Sequence, residues 1–392
     1  MTRRLRVVPV GHPLDLMGPL RLALANTGDA VLPVPRGQEA AARPGLGRVP
    51  RQVAVVIETS GSTDAPKRVM LSTDALLSSA AASSVRLGGT GQWLLALPVH
   101  YIAGVQVLVR SIAADTVPVV LPPGHFDPGV FAASAELLTE PLRFTALVPV
   151  QLARLVAAAA DDRHLLAVLR RFDGILVGGQ ALPPQLAERA FDLGLHVFAT
   201  YGSSETSGGC VYNGTPIGST AVRVVDGQLE LRGSLLAEGY LDDPGRTSDR
   251  FIEVHGQRWY RTGDLGEVDA ATGIVRVLGR VDNVIISGGE KVSLDAVERV
   301  VRSLPGLGEA VAVGRPDATW GQVPVLVVPD GAGKAPGEAV LPEDSLERIG
   351  EAVASVLGKA ARPARLVRVA SIPQLPTGKP DRRQLSRMLA DL

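Results

Sequence analysis

The stretch Thr59-Ser60-Gly61-Ser62-Thr63-Asp64-Ala65-Pro66-Lys67 concentrates groups that can hold phosphate, and it follows the apolar run Val53 to Ile57. The hydroxyls of Thr59, Ser60, Ser62 and Thr63, with nearby backbone N–H groups, can wrap phosphate oxygens. Gly61 lets the backbone approach closely, and Lys67 adds a positive charge. The spacing is not the G-x-x-x-x-G-K-[ST] of a P-loop. Asp64 is unfavourable beside phosphate unless it turns away or meets a cation, and Arg68 is the nearest residue that could offset it. Taken alone, the segment also fits an ordinary polar loop.

Five companions follow in order: Tyr201-Gly202-Ser203-Ser204-Glu205-Thr206, Tyr260-Arg261-Thr262-Gly263-Asp264, Gly279-Arg280-Val281-Asp282-Asn283, Gly288-Gly289-Glu290-Lys291-Val292 and Pro376-Thr377-Gly378-Lys379. This series resembles the adenylate-forming superfamily of acyl-CoA ligases, luciferases and peptide-synthetase adenylation domains. Asp64 and Arg68 stand where that superfamily usually has Gly. The resemblance implies a ligase reaction in two halves. A carboxylate attacks the α-phosphate of ATP to give an acyl-adenylate and pyrophosphate, and a thiol, usually coenzyme A, then displaces AMP. Charge builds on phosphate oxygens in the first half, which calls for cations and oriented donors.

Carried over position by position, the resemblance implies these roles. Thr59, Ser60, Gly61, Ser62, Thr63 and Lys67 face the β- and γ-phosphates. Glu205 is the Mg²⁺ ligand, because that cation needs hard oxygen donors and is satisfied by one protein carboxylate with phosphates and waters. Thr206 supports the α-phosphate, and Tyr201 with Gly202 lines adenine. Gly178, Gly179 and Gln180 form the other adenine wall. Asp264 binds the ribose hydroxyls with Arg280 as its partner. Asp282 is the hinge about which a small domain turns between the half-reactions, and Gly288 and Gly289 lie on the coenzyme A side. Lys379 enters the site for adenylation.

Pro98 to Gly104 resembles the segment that opens the acyl pocket, with His100, Tyr101 and Gly104 at its mouth and Ser203 opposite. Six residues beyond Gly104, Arg110 ends the apolar run Val105-Gln106-Val107-Leu108-Val109. A buried arginine is costly unless it meets an anion. This spacing, with Gly209 to Asn213, resembles the o-succinylbenzoate–CoA ligase family of menaquinone biosynthesis in its compact actinobacterial form, and implies an aromatic dicarboxylic acid as substrate. Three other readings stay open: Arg110 pairs with a structural acid; the chain is another aryl- or acyl-CoA ligase, or an adenylation enzyme that loads a carrier protein; or it is a non-catalytic nucleotide-binding protein. Retention of Lys67, Glu205, Asp264, Arg280 and Lys379 together argues against the last.

The elements that must position these residues read as α/β. Short apolar runs at 53–57, 93–97, 117–121, 173–177 and 195–199 alternate with helical patterns at 150–160 and 184–193, which favours a helix-covered sheet. Residues 221–232 read as a hairpin about Asp226-Gly227, the start of a smaller β-rich subdomain. Beyond Asp282 a compact α+β unit is expected, with Ser293 capping a helix whose apolar face is Leu294, Val297, Val300, Val301 and Leu304, strands at 309–315 and 323–328, a flexible loop at 331–337 and a helix at 343–357. The domains are therefore expected at 1–281, shortened ahead of the phosphate loop, and 282–392.

Composition agrees with a catalytic domain. Lys+Arg 40 against Asp+Glu 40 gives no net charge with which to hold a nucleic acid. One cysteine, Cys210, cannot form an internal disulfide and reads as a small buried residue. The uncharged stretch 87–109 contains Gly88, Gly89, Gly91, Pro98 and Gly104, so it reads as a strand, a loop and a helix rather than a membrane span. No targeting segment is evident after the basic Thr2 to Arg6. A cytoplasmic enzyme is expected, and a homo-oligomer is compatible with the sequence.

Overall fold

A computed structural model describes residues 1–39, 47–59, 67–330, 345–375 and 379–389. The structure of Ser60 to Pro66, of the loop expected at 331–337 and of Pro376 to Gly378 therefore lies outside the described residues.

Four sheets carry the fold among the described residues. The first runs in the order Gly239–Tyr240, Lys67–Ser72, Val53–Thr59, Ala30–Pro35, Thr2–Val10 and Arg48–Pro50. Val53 to Ile57 are fully buried, as expected for a strand covered on both faces. Val53–Thr59 pairs antiparallel with Lys67–Ser72, with Thr59 opposite Lys67, so the phosphate loop joins two strands whose ends are held in register. The basic N-terminus has a structural task. Thr2–Val10 alternates exposed and buried residues, and Arg3 points inward to donate to the carbonyls of Val53 (2.6 Å) and Ala23 (2.9 Å).

The second sheet has the order Thr215–Pro216, Gly208–Tyr212, Val197–Ser203, Gly174–Val177, Arg143–Leu147, Gln92–Leu95 and Val119–Val120. Its last five strands are parallel. Helices such as Ile102–Ala113, Pro149–Ala159 and Pro184–Asp192 cross between them; the latter two begin with proline, which suits a first helical position. Gly178 to Gln180 and Tyr201 to Ser203 lie at or just beyond the carboxyl ends of neighbouring strands, where open parallel sheets place ligands. The strands expected at 93–97 and 117–121 are shorter than the apolar runs, because the chain turns away at Ala96 and pairs only over Val119–Val120.

The third sheet is the expected β-rich subdomain. Ala221–Val225 and Gln228–Arg232 form a hairpin with Asp226 at φ 50° and Gly227 at φ 77°, the conformation that favours Asp-Gly in a two-residue turn. Val275–Arg280 is an edge strand of this sheet, whereas Val284–Ser287 belongs to the fourth. Between them Val281–Asn283 forms a single 3-10 turn containing Asp282. In the fourth sheet, Ser293 caps the helix Leu294–Arg302 by accepting from the Ala296 amide. Val297 and Val301 of that helix share a core with Leu326, Val328 and Val353. No helix among the described residues is long and apolar enough to cross a membrane.

Candidate active site

Two buried turns bring the nucleotide residues together. Gly202 must be glycine because a Cβ there would lie 2.0 Å from the Gly208 carbonyl oxygen. That close approach closes the turn Ser204–Thr206, inside which the Thr206 hydroxyl accepts from the Ser203 amide (2.8 Å) and lies 2.7 Å from the Gly208 carbonyl. Glu205 is thereby turned inward and is 2% exposed. Its Oε1 receives the Lys67 ammonium at 2.5 Å and the Tyr240 hydroxyl at 2.8 Å. Burial by itself would raise this carboxyl, but the charge and hydrogen bond of Lys67 and the hydroxyl of Tyr240 outweigh it, so Glu205 is held below the usual carboxylate range.

Asp264 forms a second node. Its Oδ2 accepts from the Tyr201 hydroxyl at 2.6 Å and its Oδ1 from Arg280 at 3.0 Å. Each oxygen keeps a further lone pair for a ribose hydroxyl. Burial, then the Asp264 charge, pushes the Tyr201 phenol up, so it stays a donor. Arg280 also grips Asp282 through Nε and Nη2, both at 3.1 Å, and its amide donates to Asp295 at 2.8 Å. Gly178 lies beside Thr200, whose hydroxyl would be 2.4 Å from an added Cβ. Gly179 has φ 82°. These two constraints shape the loop that carries Gln180.

Lys379 sits next to Pro380, which bridges back to Gln374, and its own carbonyl accepts from the Leu375 amide at 2.8 Å. Although Lys379 keeps surface exposure, its ammonium feels Arg280, Asp264, Lys67 and Glu205 together. Partial burial, then the Arg280 cation, pushes it below the ordinary lysine range against the pull of Asp264. Gly288 and Gly289, at φ 57° and 83°, turn the hairpin Val284–Ser287/Glu290–Ser293. The Gly288 amide donates to the Trp320 carbonyl at 2.9 Å, within the C-terminal unit.

On the acyl side, Gly104 allows the helix Ile102–Ala113 to start against the preceding loop, since a Cβ would lie 2.3 Å from the Pro98 carbonyl oxygen. The rings of His100 and Tyr101 lie 4.2 Å apart at the helix entrance. Burial lowers the imidazole and raises the phenol, so both are neutral near pH 7. Ser203 Oγ is buried and has no hydrogen-bond partner among the described residues. Arg110 is 6% exposed. No carboxylate meets it among the described residues. Nη2 donates to Ser83 Oγ at 3.1 Å and to Tyr212 Oη at 3.4 Å, the guanidinium carbon lies 4.8 Å from the Trp93 ring centroid, and Nε has no partner. Among the described residues, the structural-acid alternative for Arg110 finds no acid.

Near the phosphate loop, Arg68 pairs with Glu58 at 3.0 Å; Asp64 and the loop residues Ser60, Gly61, Ser62 and Thr63 lie outside the described residues. For Mg²⁺ the donor type fits, because Glu205 is a carboxylate held below the usual range; no group of three or more potential ligands gathers among the described residues, at Glu205 or away from it. One carboxylate with phosphate oxygens and water is how this cation is usually held.

Residues 24–241 match the AMP-binding enzyme family and residues 296–379 its C-terminal domain. A Mycobacterium tuberculosis protein named "Probable 2-succinylbenzoate–CoA ligase" is 37% identical over 393 residues, covering 98% of this chain and 97% of its own. The chain belongs to the AMP-binding enzyme family. A 2-succinylbenzoate–CoA ligase of Geobacillus kaustophilus is 30% identical, covering 86% of this chain and 70% of its own. The Bacillus subtilis o-succinylbenzoate CoA synthetase, solved with its acyl-adenylate intermediate, has the same fold at TM-score 0.73 and 23% identity, covering 97% of this chain and 82% of its own. ATP-bound MatB of Rhodopseudomonas palustris reaches TM-score 0.74 at 23% identity, covering 99% of this chain and 79% of its own.

Several residues of this AMP-binding enzyme escaped the sequence reading. Tyr240 and Tyr260 enclose Glu205, and burial pushes both phenols up, helped by the Glu205 charge. Tyr260 opens a motif and could have been suspected, whereas Tyr240 stands in a plain Gly-Tyr pair. Ser83 and Tyr212 at Arg110 also went unread. Cys210 is buried, with its thiol pushed up to about 12, first by burial, as fits an inert core residue.

Proposed function

We propose that this chain is an AMP-forming 2-succinylbenzoate–CoA ligase, which first joins a carboxylate of the acid to the α-phosphate of ATP with loss of pyrophosphate. The thiol of coenzyme A then forms the thioester as AMP leaves with the bonding electrons of the acyl–oxygen bond. The observation that carries the substrate assignment is Arg110, a buried cation with an unfilled donor and no acid beside it among the described residues. A diacid with one carboxyl to activate and one to spare matches that charge. The mycobacterial relative's name agrees.

In this reading Lys67 and Lys379 offset the charge that develops on phosphate and carboxylate oxygens. Asp264 accepts from the ribose hydroxyls, with Tyr201 and Arg280 fixing its plane. Ser203 faces the acyl substrate, and Thr206 supports the α-phosphate. Mg²⁺, when bound at Glu205, neutralises phosphate charge. Asp282 is the pivot between residues 1–281 and 282–392, and Gly288 and Gly289 belong to the thioester-forming face. A cytoplasmic setting suits these substrates.

The test is a panel of acids with ATP, Mg²⁺ and coenzyme A, following pyrophosphate release and thioester mass. 2-Succinylbenzoate should be the best substrate. A simple benzoate or fatty acid turning over faster would overturn the substrate assignment, and no pyrophosphate with any acid would overturn the enzyme reading.

A further inference from the structure

The hydroxyls around Arg110 have a determined direction. Ser83 Oγ lies 2.9 Å from the Ser79 carbonyl, which can only accept, so the Ser83 proton goes there. Ser83 Oγ and Tyr212 Oη are 2.9 Å apart. With the serine proton committed, Tyr212 donates to Ser83. Each oxygen then turns a lone pair toward Arg110 Nη2. Ser83 and Tyr212 are both fully buried, and they come from different elements, the helix Thr73–Leu87 and the strand Gly208–Tyr212.

This arrangement fixes the guanidinium without neutralising it. A buried Asp or Glu would also hold Arg110, but it would cancel the charge and repel an incoming carboxylate. Two oriented hydroxyls and the Trp93 face stabilise the cation and leave its net charge uncompensated. Specificity for a dianion over a monoanion then follows, because only the dianion fills the charge and the free Nε donor.

We propose that Ser83 and Tyr212 are positioning residues for recognition of the acid: they aim Arg110 at the spare carboxylate and keep its charge available. This rests on the diacid reading above. The measurement is the Michaelis constant for 2-succinylbenzoate, for an analogue lacking the spare carboxylate, and for ATP, in the full-length enzyme.

Tyr212→Phe and Ser83→Ala should each raise the constant for the diacid roughly three- to tenfold, the effect of one neutral hydrogen bond. They should leave the constants for the analogue and for ATP nearly unchanged, so the preference for the diacid shrinks. Ser83→Thr, which keeps a hydroxyl, should retain the preference. Ser83→Asp supplies the missing counterion and should remove it almost entirely. If Tyr212→Phe does not fold, as judged by its melting curve, Ser83→Ala and Ser83→Asp carry the test.

Equal weakening of diacid and analogue, or loss of preference in Ser83→Thr as large as in Ser83→Ala, would mean that the pair merely supports the core. Arg110→Leu run in parallel separates the two levels. If it destroys the preference while Tyr212→Phe and Ser83→Ala do not, positioning fails and the diacid reading stands. If Arg110→Leu itself leaves the preference intact, the diacid reading falls.

Discussion

Lys67 and Glu205 meet at 2.5 Å although 138 positions separate them in the chain. The ammonium shares Glu205 Oε1 with the Tyr240 hydroxyl, so the carboxylate is kept ionised. In the proposed reading, Lys67 holds the Mg²⁺ ligand Glu205 in its ionised form.

Glu205→Gln should raise the Mg²⁺ concentration giving half-maximal pyrophosphate release by at least roughly tenfold, since losing even an outer partner of a ligand costs about ten- to a hundredfold. The check is a Mg²⁺ titration at saturating ATP. An unchanged midpoint would leave Glu205 as a structural partner of Lys67 alone.

Lys379→Ala should lose adenylation while retaining much of the thioester step, because in the proposed reading its charge is needed where charge develops. Purified acyl-adenylate supplied with coenzyme A measures the second step by itself. Equal losses in both halves would contradict the role.

The pH profile follows from the same lysine. Lys379 carries its charge below its pKa and loses it as pH rises, and burial with Arg280 moves that point down. The alkaline limb of kcat/KM for ATP, which reports the free enzyme, should therefore begin below the ordinary lysine value of about 10.4. Tyr201, Tyr240 and Tyr260 are pushed up, and Cys210 to about 12, so they do not supply it. In Lys379→Arg the limb should move up or vanish. A limb that stays in place belongs to another group.

Asp282→Pro should let adenylate accumulate without thioester. Proline fixes one backbone dihedral in the 3-10 turn where the third sheet hands over to the fourth. The substitution also removes one acceptor of Arg280, so Asp282→Ala is the control and should complete both steps. Normal thioester formation by the proline variant would remove the hinge assignment.

Arg110→Leu should raise the Michaelis constant for 2-succinylbenzoate roughly ten- to a hundredfold, the value of a hydrogen bond to a charged group. The constant for ATP should hardly move. A parallel rise for ATP would mean that the site as a whole had been disturbed.

The candidate nucleotide residues were legible because they cluster in short contiguous motifs. Glu205, Asp264, Arg280 and Lys379 announce themselves by neighbours in sequence. The Asp226-Gly227 turn and the Ser293 cap are equally local, since backbone conformation and side-chain capping act over a few residues. Most other partners were not legible. The Arg280–Asp264 pair was expected, but that Lys67 reaches Glu205, that Arg280 also holds Asp282, and that the basic N-terminus becomes a strand with Arg3 buried depend on strand order and register across distant parts of the chain. Arg110 shows the division most clearly. Its place in an apolar run signalled a buried cation, but whether an acid or a hydroxyl answers it was decided by the packing of Thr73–Leu87 and Gly208–Tyr212 against its helix. Burial makes an unpaired charge costly, so a motif can require a partner, and only tertiary packing can choose it.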